Sequence, residues 1–299
     1  MGAVIKINGL TKTYGSATAL NALNLEVNEG EVLGYLGPNG AGKTTTIRLL
    51  LGLIAPTNGS ATIFGLDAQH NKTEVHKQLA YVPGETMLWP SLTGEEALHL
   101  LGKVHGSVDE AYKKILVNRF QFDAHKKIRT YSKGNRQKIS LIAAFMTRAK
   151  LLILDEPTSG LDPLMEQAFR ICVDEARTNG QTIFLSSHIL SEVEALCDRV
   201  AILREGKLVE VGTLEEMRHL SALSIQAIFK GKVPKVDHIK GVSNVHVSGK
   251  ELTCEIHGNI TELLATVAAA KPESFISREP SLEELFLSLY GKQEVTKES

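Results

Sequence analysis

Short apolar runs alternate along the chain with stretches in which apolar residues recur every three or four positions, a pattern that predicts an α/β protein. Val32-Leu33-Gly34-Tyr35-Leu36 is almost continuously apolar, as a buried parallel strand requires. Ile47, Leu50, Leu51 and Ile54 then fall at i, i+3, i+4 and i+7, one face of a helix. Ahead of them, residues 4–7 and 19–27 alternate and predict antiparallel strands, and residues 59–65 read as a short strand between glycine turns. Asn71-Lys72-Thr73-Glu74 reads as a polar helix start. From about 91 to 149 the pattern is helical: Ser91-Leu92-Thr93-Gly94-Glu95 opens one helix with capping chemistry and residues 108–120 carry a second. A third shows Ile139, Ile142, Ala143 and Met146 on one face.

Leu151-Leu152-Ile153-Leu154 predicts a fully buried strand. Asp162 and Pro163 then stand as N-cap and first turn of a helix whose apolar face is Ala168, Phe169, Cys172, Val173 and Ala176. Residues 182–185 form the next strand, and a hairpin is expected at Glu205-Gly206. Beyond it the pattern changes to strands near 224–229, 242–247 and 252–256 with a helix near 260–270. A closing helix begins at Ser281-Leu282-Glu283-Glu284 and shows Leu282, Leu285, Phe286 and Leu289. The expected organisation is a large α/β domain over 1–219, a small α+β domain over 220–290 and a disordered tail over 291–299.

Composition narrows the class. The chain has 299 residues, 43% hydrophobic and 22% charged, with a net charge of −1. That balance argues against a nucleic-acid partner or a polybasic membrane anchor. Cys172, Cys197 and Cys254 lie too far apart for a metal or redox motif, and the first two fall on apolar helical faces. Buried reduced thiols, and hence a cytoplasmic location, are expected. No apolar run approaches the roughly 20 residues that span a bilayer, and the N-terminus lacks a secretion signal. Any membrane role is expected to come through another subunit.

The strongest chemical signal is Gly37-Pro38-Asn39-Gly40-Ala41-Gly42-Lys43-Thr44-Thr45, set between the buried strand and the helix. Glycines let consecutive backbone N–H groups converge on an anion, and the helix N-terminus adds partial positive charge. Lys43 can reach β- and γ-phosphates and the Thr44 hydroxyl can sit on Mg²⁺. The second signal is Asp155-Glu156 at the carboxyl end of a buried strand, where open α/β sheets bind ligands. Asp155 suits Mg²⁺ coordination and Glu156 suits polarising an attacking water. Three further features are each open to two readings. Tyr14 is a base-stacking ring or a strand-end aromatic. Ser132 with Gly134 is an anion corner at a helix start or an ordinary N-cap. His188, at another strand's carboxyl end, is a γ-phosphate contact or a structural histidine.

With these pieces in this order, residues 1–219 resemble the ATP-binding subunit of ABC transporters, of the bacterial multidrug and antibiotic exporter type. The resemblance implies a P-loop NTPase core with an antiparallel β subdomain and a helical subdomain, and ATP and Mg²⁺ as ligands. It makes Tyr14 the adenine platform, residues 37–45 the Walker A loop, Asp155 and Glu156 the Walker B pair with the catalytic glutamate, and His188 the switch histidine. Ser132, Lys133, Gly134 and Asn135 correspond to the family signature, which meets the ATP of a second subunit in a head-to-tail homo- or heterodimer. Asp162 corresponds to the aspartate that couples the two halves. The partner implied is a separately encoded transmembrane permease, which would hold the chain at the cytoplasmic face of the membrane.

Two departures stand out. The signature reads Tyr131-Ser132-Lys133-Gly134-Asn135 in place of Leu-Ser-Gly-Gly-Gln, leaving Lys133 to meet the opposite phosphate or face solvent. Tyr81-Val82-Pro83-Gly84-Glu85 places a glycine where the family has a Mg²⁺-binding glutamine, so Glu85 or a water is expected to substitute. Rival readings are an ATPase of ribosomes or DNA and a regulator that binds ATP without useful hydrolysis. One Walker A loop, no sustained heptads and a near-neutral charge oppose the first; an intact Asp155-Glu156 pair opposes the second.

Overall fold

The structure is a computed structural model and describes residues 2–219, 222–279 and 284. In chain order, β1 (Ala3–Tyr14), β2 (Ala17–Asn28) and β3 (Val32–Leu36) lead into α1 (Lys43–Leu50). There follow β4 (Asn58–Ile63), β5 (Leu66–Asp67), α2 (Lys72–His76) and β6 (Leu79–Val82), then α3 (Gly94–His105), α4 (Glu110–Arg119) and α5 (Lys133–Phe145). Next come β7 (Leu151–Asp155), α6 (Pro163–Thr178), β8 (Thr182–Ser187), α7 (Leu190–Leu196), β9 (Arg199–Arg204) and β10 (Lys207–Thr213), the last crossing the boundary of the first unit. Two compact units divide between Val211 and Gly212.

The central sheet of the first unit has six strands in the order β10-β9-β3-β8-β7-β6. The strands from β9 to β6 run parallel. β3, β7 and β8 are buried throughout, which is why β3, residues 151–154 of β7 and residues 183–185 of β8 read as apolar runs. A second, antiparallel sheet, β2-β1-β4-β5, is packed through Ile5, Ile7, Leu23 and Leu25 into one core with Ile47 and Leu50 of α1 and Tyr35, Ile153 and Phe184 of the central sheet. α6 and α7 pack on the central sheet, and a side chain at Gly34 would collide with Val193 Cγ1 at 2.5 Å.

Local chemistry sets the element ends. Gly52, at φ +64°, stops α1: its N–H donates to Leu49 O (3.0 Å) and that of Leu53 to Arg48 O (2.9 Å). Ile54 therefore lies beyond the helix and joins the same core from the loop. Thr93 and Glu96 form a reciprocal capping box at α3. Glu205 and Gly206, both at positive φ, make the tight β9–β10 hairpin. α5 buries more than one face, including Gln137, Ser140, Leu141, Ala144 and Phe145, because α3, α4, α6 and β6 surround it.

The second unit holds α8 (Leu214–His219), β11 (Leu223–Phe229), β12 (Val242–Ser248), β13 (Glu251–Ile256), α9 (Thr261–Ala269) and β14 (Pro272–Arg278). Its sheet order is β12-β13-β11-β14, with α9 contributing Leu263 and Val267 to a core around Ile225, Phe229 and Leu252. β14 has no counterpart in the sequence reading. Apart from Glu284, which is helical, the expected closing helix from Ser281, and the tail, lie outside the described residues. The three cysteines are buried, free thiols. No helix among the described residues is long and apolar enough to cross a membrane.

Candidate nucleotide site

The loop over residues 37–45 joins β3 to α1 at the carboxyl edge of the parallel strands. Pro38, Asn39 and Gly40 form its exposed tip, closed by the Ala41 N–H donating to Pro38 O (3.1 Å). Gly42, at φ +110°, is the N-cap of α1 and turns its backbone into the helix. It has no room for a side chain: a Cβ there would lie 2.7 Å from Ala19 O, and one on Gly206 would lie 2.6 Å from the same oxygen. The Gly206 N–H donates to Ala41 O (3.0 Å) and the Asn21 N–H to Gly206 O (2.8 Å), locking loop, hairpin and β2 together by backbone.

Lys43 is only 6% exposed, and its Nζ donates to Gly37 O at 2.6 Å and Pro38 O at 3.3 Å. The same ammonium lies 3.6 Å from Glu156 Oε1. Burial pulls its pKa below the ordinary lysine value, and the Glu156 carboxylate opposes that shift. Thr44 is exposed at the loop's end and its hydroxyl donates to Asp155 Oδ2 (3.1 Å); Thr45 is half-buried behind it. Ser186 Oγ donates to the other Asp155 oxygen (2.7 Å), so the carboxylate is oriented from both sides.

Glu156 occupies a left-handed conformation, φ +47°, directly before Pro157. Both features are unfavourable, and neighbouring bonds hold the residue there: its N–H donates to Ser186 O (2.9 Å) and its carbonyl accepts from the Ser159 N–H (3.1 Å). The conformation brings Glu156 Oε1 within 3.2 Å of His188 Nδ1 as well as within reach of Lys43. Lys43, Glu156 and His188, contributed by three separate segments, thus converge on one point beside the loop.

Ser132 is the N-cap of α5, its hydroxyl accepting from the Asn135 N–H (3.3 Å). Lys133 is exposed and donates to Ser159 Oγ (2.9 Å), tying the helix start to the segment after Glu156. Gly134 is required by close approach, since a Cβ there would lie 2.5 Å from Gly160 O. Asp162 caps α6, accepting from the Leu164 and Met165 N–H groups (both 3.1 Å). Tyr14 ends β1 half exposed, with Lys12 Nζ 5.0 Å from its ring centroid. Gly84 faces the end of β7: a Cβ would sit 3.4 Å from Asp155 O and 3.7 Å from Oδ2, ordinary contact distances. Glu85 is exposed beside it.

Among the described residues no cluster of three His, Cys, Asp or Glu side chains forms a metal cage. The Thr44 hydroxyl and Asp155 carboxylate nonetheless fit Mg²⁺: both are hard oxygen donors, adjacent to a phosphate-binding loop, and Mg²⁺ ordinarily keeps several waters and takes few protein ligands. The sequence reading missed Ser186, Gln137 and Thr86. Ser186 stands two residues before His188 at the end of an apolar strand, and a buried polar residue there was its available signal.

A buried strand, a glycine loop opening a helix, and a carboxylate pair at the end of β7, separated from β3 by β8 alone, together define a P-loop nucleoside-triphosphate site. Comparison with known proteins resolves the class further. The ABC transporter family matches residues 20–159. The bacitracin transport ATP-binding protein BcrA of Bacillus licheniformis is 41% identical over 216 residues, 70% of each chain. The linearmycin resistance ATP-binding protein LnrL of Bacillus subtilis is 31% identical across 97% of this chain and 99% of its own. The solved ATP-binding subunit of an ABC transporter superposes with a TM-score of 0.67 at 33% identity, covering 72% of this chain and 92% of that one. A dimeric cassette in a post-hydrolysis state with ADP and phosphate shares the fold, with a TM-score of 0.63 at 23% identity over 70% and 98% of the two chains. The chain belongs to the ATP-binding subunits of ABC transporters, and its enzymatic class is that of the ABC ATPases.

Proposed function

We propose that this subunit hydrolyses ATP in a head-to-tail dimer and couples the cycle to export of an antibiotic-like compound through a separate transmembrane permease. The observation that carries the reading is the convergence of Lys43, Glu156 and His188 beside the Walker A loop. Residues 37–45 cradle the phosphates with backbone N–H groups, Lys43 adds a charge to the β- and γ-oxygens, and Tyr14 stacks the adenine. Glu156 orients a water in line with the γ-phosphorus; as the new P–O bond forms, the bond to the β–γ bridging oxygen breaks and ADP departs with its electron pair. His188 holds the Glu156 carboxylate and faces the developing charge. Thr44 and Asp155 would hold Mg²⁺, which when bound neutralises charge on the phosphate oxygens, with Glu85 or a water completing its shell. Ser132, Lys133, Gly134 and Asn135 would close on the partner's ATP, and Asp162 would lie at the seam.

The export reading is supported by the names of the bacitracin and linearmycin relatives. A groove of about 620 Å³ lined by Leu53, Tyr81, Met87, Leu88, Leu101 and Val104 supports a permease that docks there. Met87 is 87% exposed, an apolar surface that a hydrophobic cytoplasmic segment of the permease, at the inner face of the membrane, would cover. The test is Glu156→Gln. It should retain ATP binding, lose phosphate release and accumulate a dimer with ATP on gel filtration. Phosphate release at the wild-type rate would refute the assignment, and failure to co-purify a polytopic membrane protein would refute the coupling.

A further inference from the structure

Glycine at position 84 removes the side chain by which the family joins this loop to the metal site, yet the loop is still wired to the catalytic strand. Two residues on, Thr86 Oγ1 donates to Gln137 Oε1 at 2.9 Å, and Gln137 Nε2 donates to Pro157 O at 3.0 Å. Pro157 immediately follows Glu156. Gln137 is 1% exposed, so neither end of its amide has water as an alternative partner. The amide orientation is forced, because the flipped form would set its oxygen against the Pro157 carbonyl. Thr86 spends its only proton on Gln137, so in the 2.9 Å contact between Thr86 and Ser140 the Ser140 hydroxyl is the donor. Thr86 and Ser140 also line the groove assigned to the permease.

We propose that Gln137 is a positioning residue that ties residues 83–88 to the loop carrying Glu156. Glu156 is held in a left-handed conformation before a proline, so it depends on its neighbours to stay in place. Gln137 fixes the carbonyl on its C-terminal side. A shift of Thr86 leaves the buried Gln137 acceptor unpaired, and the cheaper response is for the Pro157 carbonyl to move with it. The link makes water orientation by Glu156 sensitive to whatever occupies the groove; only this last clause rests on the permease reading.

The test uses Thr86→Val, Gln137→Leu, their combination and Thr86→Ser in the complete chain. Thr86→Val keeps shape and lies nearer the surface, so it survives if Gln137→Leu does not fold. Thr86→Val should lower kcat by about three- to tenfold, the worth of one hydrogen bond, with KM for ATP within about twofold. Thr86→Ser should restore it, and the double variant should lose no more than the worse single one. An unchanged kcat in Thr86→Val, a loss that appears in KM instead, or multiplicative losses in the double variant would overturn the proposal. Wild-type chain that retains no permease would sink the docking reading alone, since these arms need no permease.

Discussion

Gly134→Ala is the most discriminating single change, because local and tertiary physics predict opposite signs. Gly134 lies in the first turn of α5, where alanine should stabilise the helix by about 0.5–1 kcal/mol. The added methyl, however, would stand 2.5 Å from Gly160 O, and it must retreat beyond 3.0 Å to reach distances that real side chains show. Gly160 is itself held at φ +83° in a turn closed by the Leu161 N–H donating to Thr158 O (2.9 Å), so the carbonyl cannot swing aside freely. Overpacking of this kind costs about 1–3 kcal/mol. The balance is a loss of up to about 2.5 kcal/mol, or a fall in Tm of up to about 10 °C for a unit of this size. Thermal melts of the wild type, Gly134→Ala and Lys133→Ala check it, the last losing only an exposed contact to Ser159. ATPase assays in parallel should show Gly134→Ala impaired. An alanine variant more stable than the wild type refutes the close approach of α5 to the Gly160 carbonyl.

Burial pushes the Glu192 carboxyl above its ordinary value, against the opposing bond from the Ser187 hydroxyl. A raised folded pKa makes its stabilisation complete below about 4.5 and lost as pH rises through the folded value, so Tm of Glu192→Gln should gain on the wild type as pH climbs; parallel profiles would refute this. At the metal shell, Gly84→Gln should lower the Mg²⁺ concentration for half-maximal hydrolysis, since a Cβ there fits 3.7 Å from Asp155 Oδ2. Glu85→Ala should raise that concentration if Glu85 supplies the substitute ligand, and an unaltered titration would assign the role to water.

The elements most legible in the sequence were those whose pattern is local. β3, the loop and α1 are contiguous, and full burial of β7 and β8 left unmistakable apolar runs. β14 was invisible because it is an edge strand beginning with Pro272 and largely exposed, leaving no alternation to read. The reading of β1 stopped at Ile7, but the strand continues through Gly9 to Tyr14 because β2 and β4 pair with it beyond that point. Residues 37–45 and the Asp155-Glu156 pair announced themselves as motifs. Gln137 did not, because its partners Thr86 and Pro157 lie 51 and 20 residues away and only the packing of α5 unites them. Lys133 likewise needed the fold to show its bond to Ser159.

Ala19 O, boxed between Gly42 and Gly206, makes the site a ruler. The strand pair that ends in Tyr14 and the loop that carries Lys43 are spaced by backbone atoms, through Ala41, Gly206 and Asn21. Side chains along these segments can change without altering that interval, so the span between ring and ammonium is calibrated independently of their chemistry. A Cβ added at position 42 or 206 would miscalibrate it, as would one at position 37, 2.6 Å from Leu203 O.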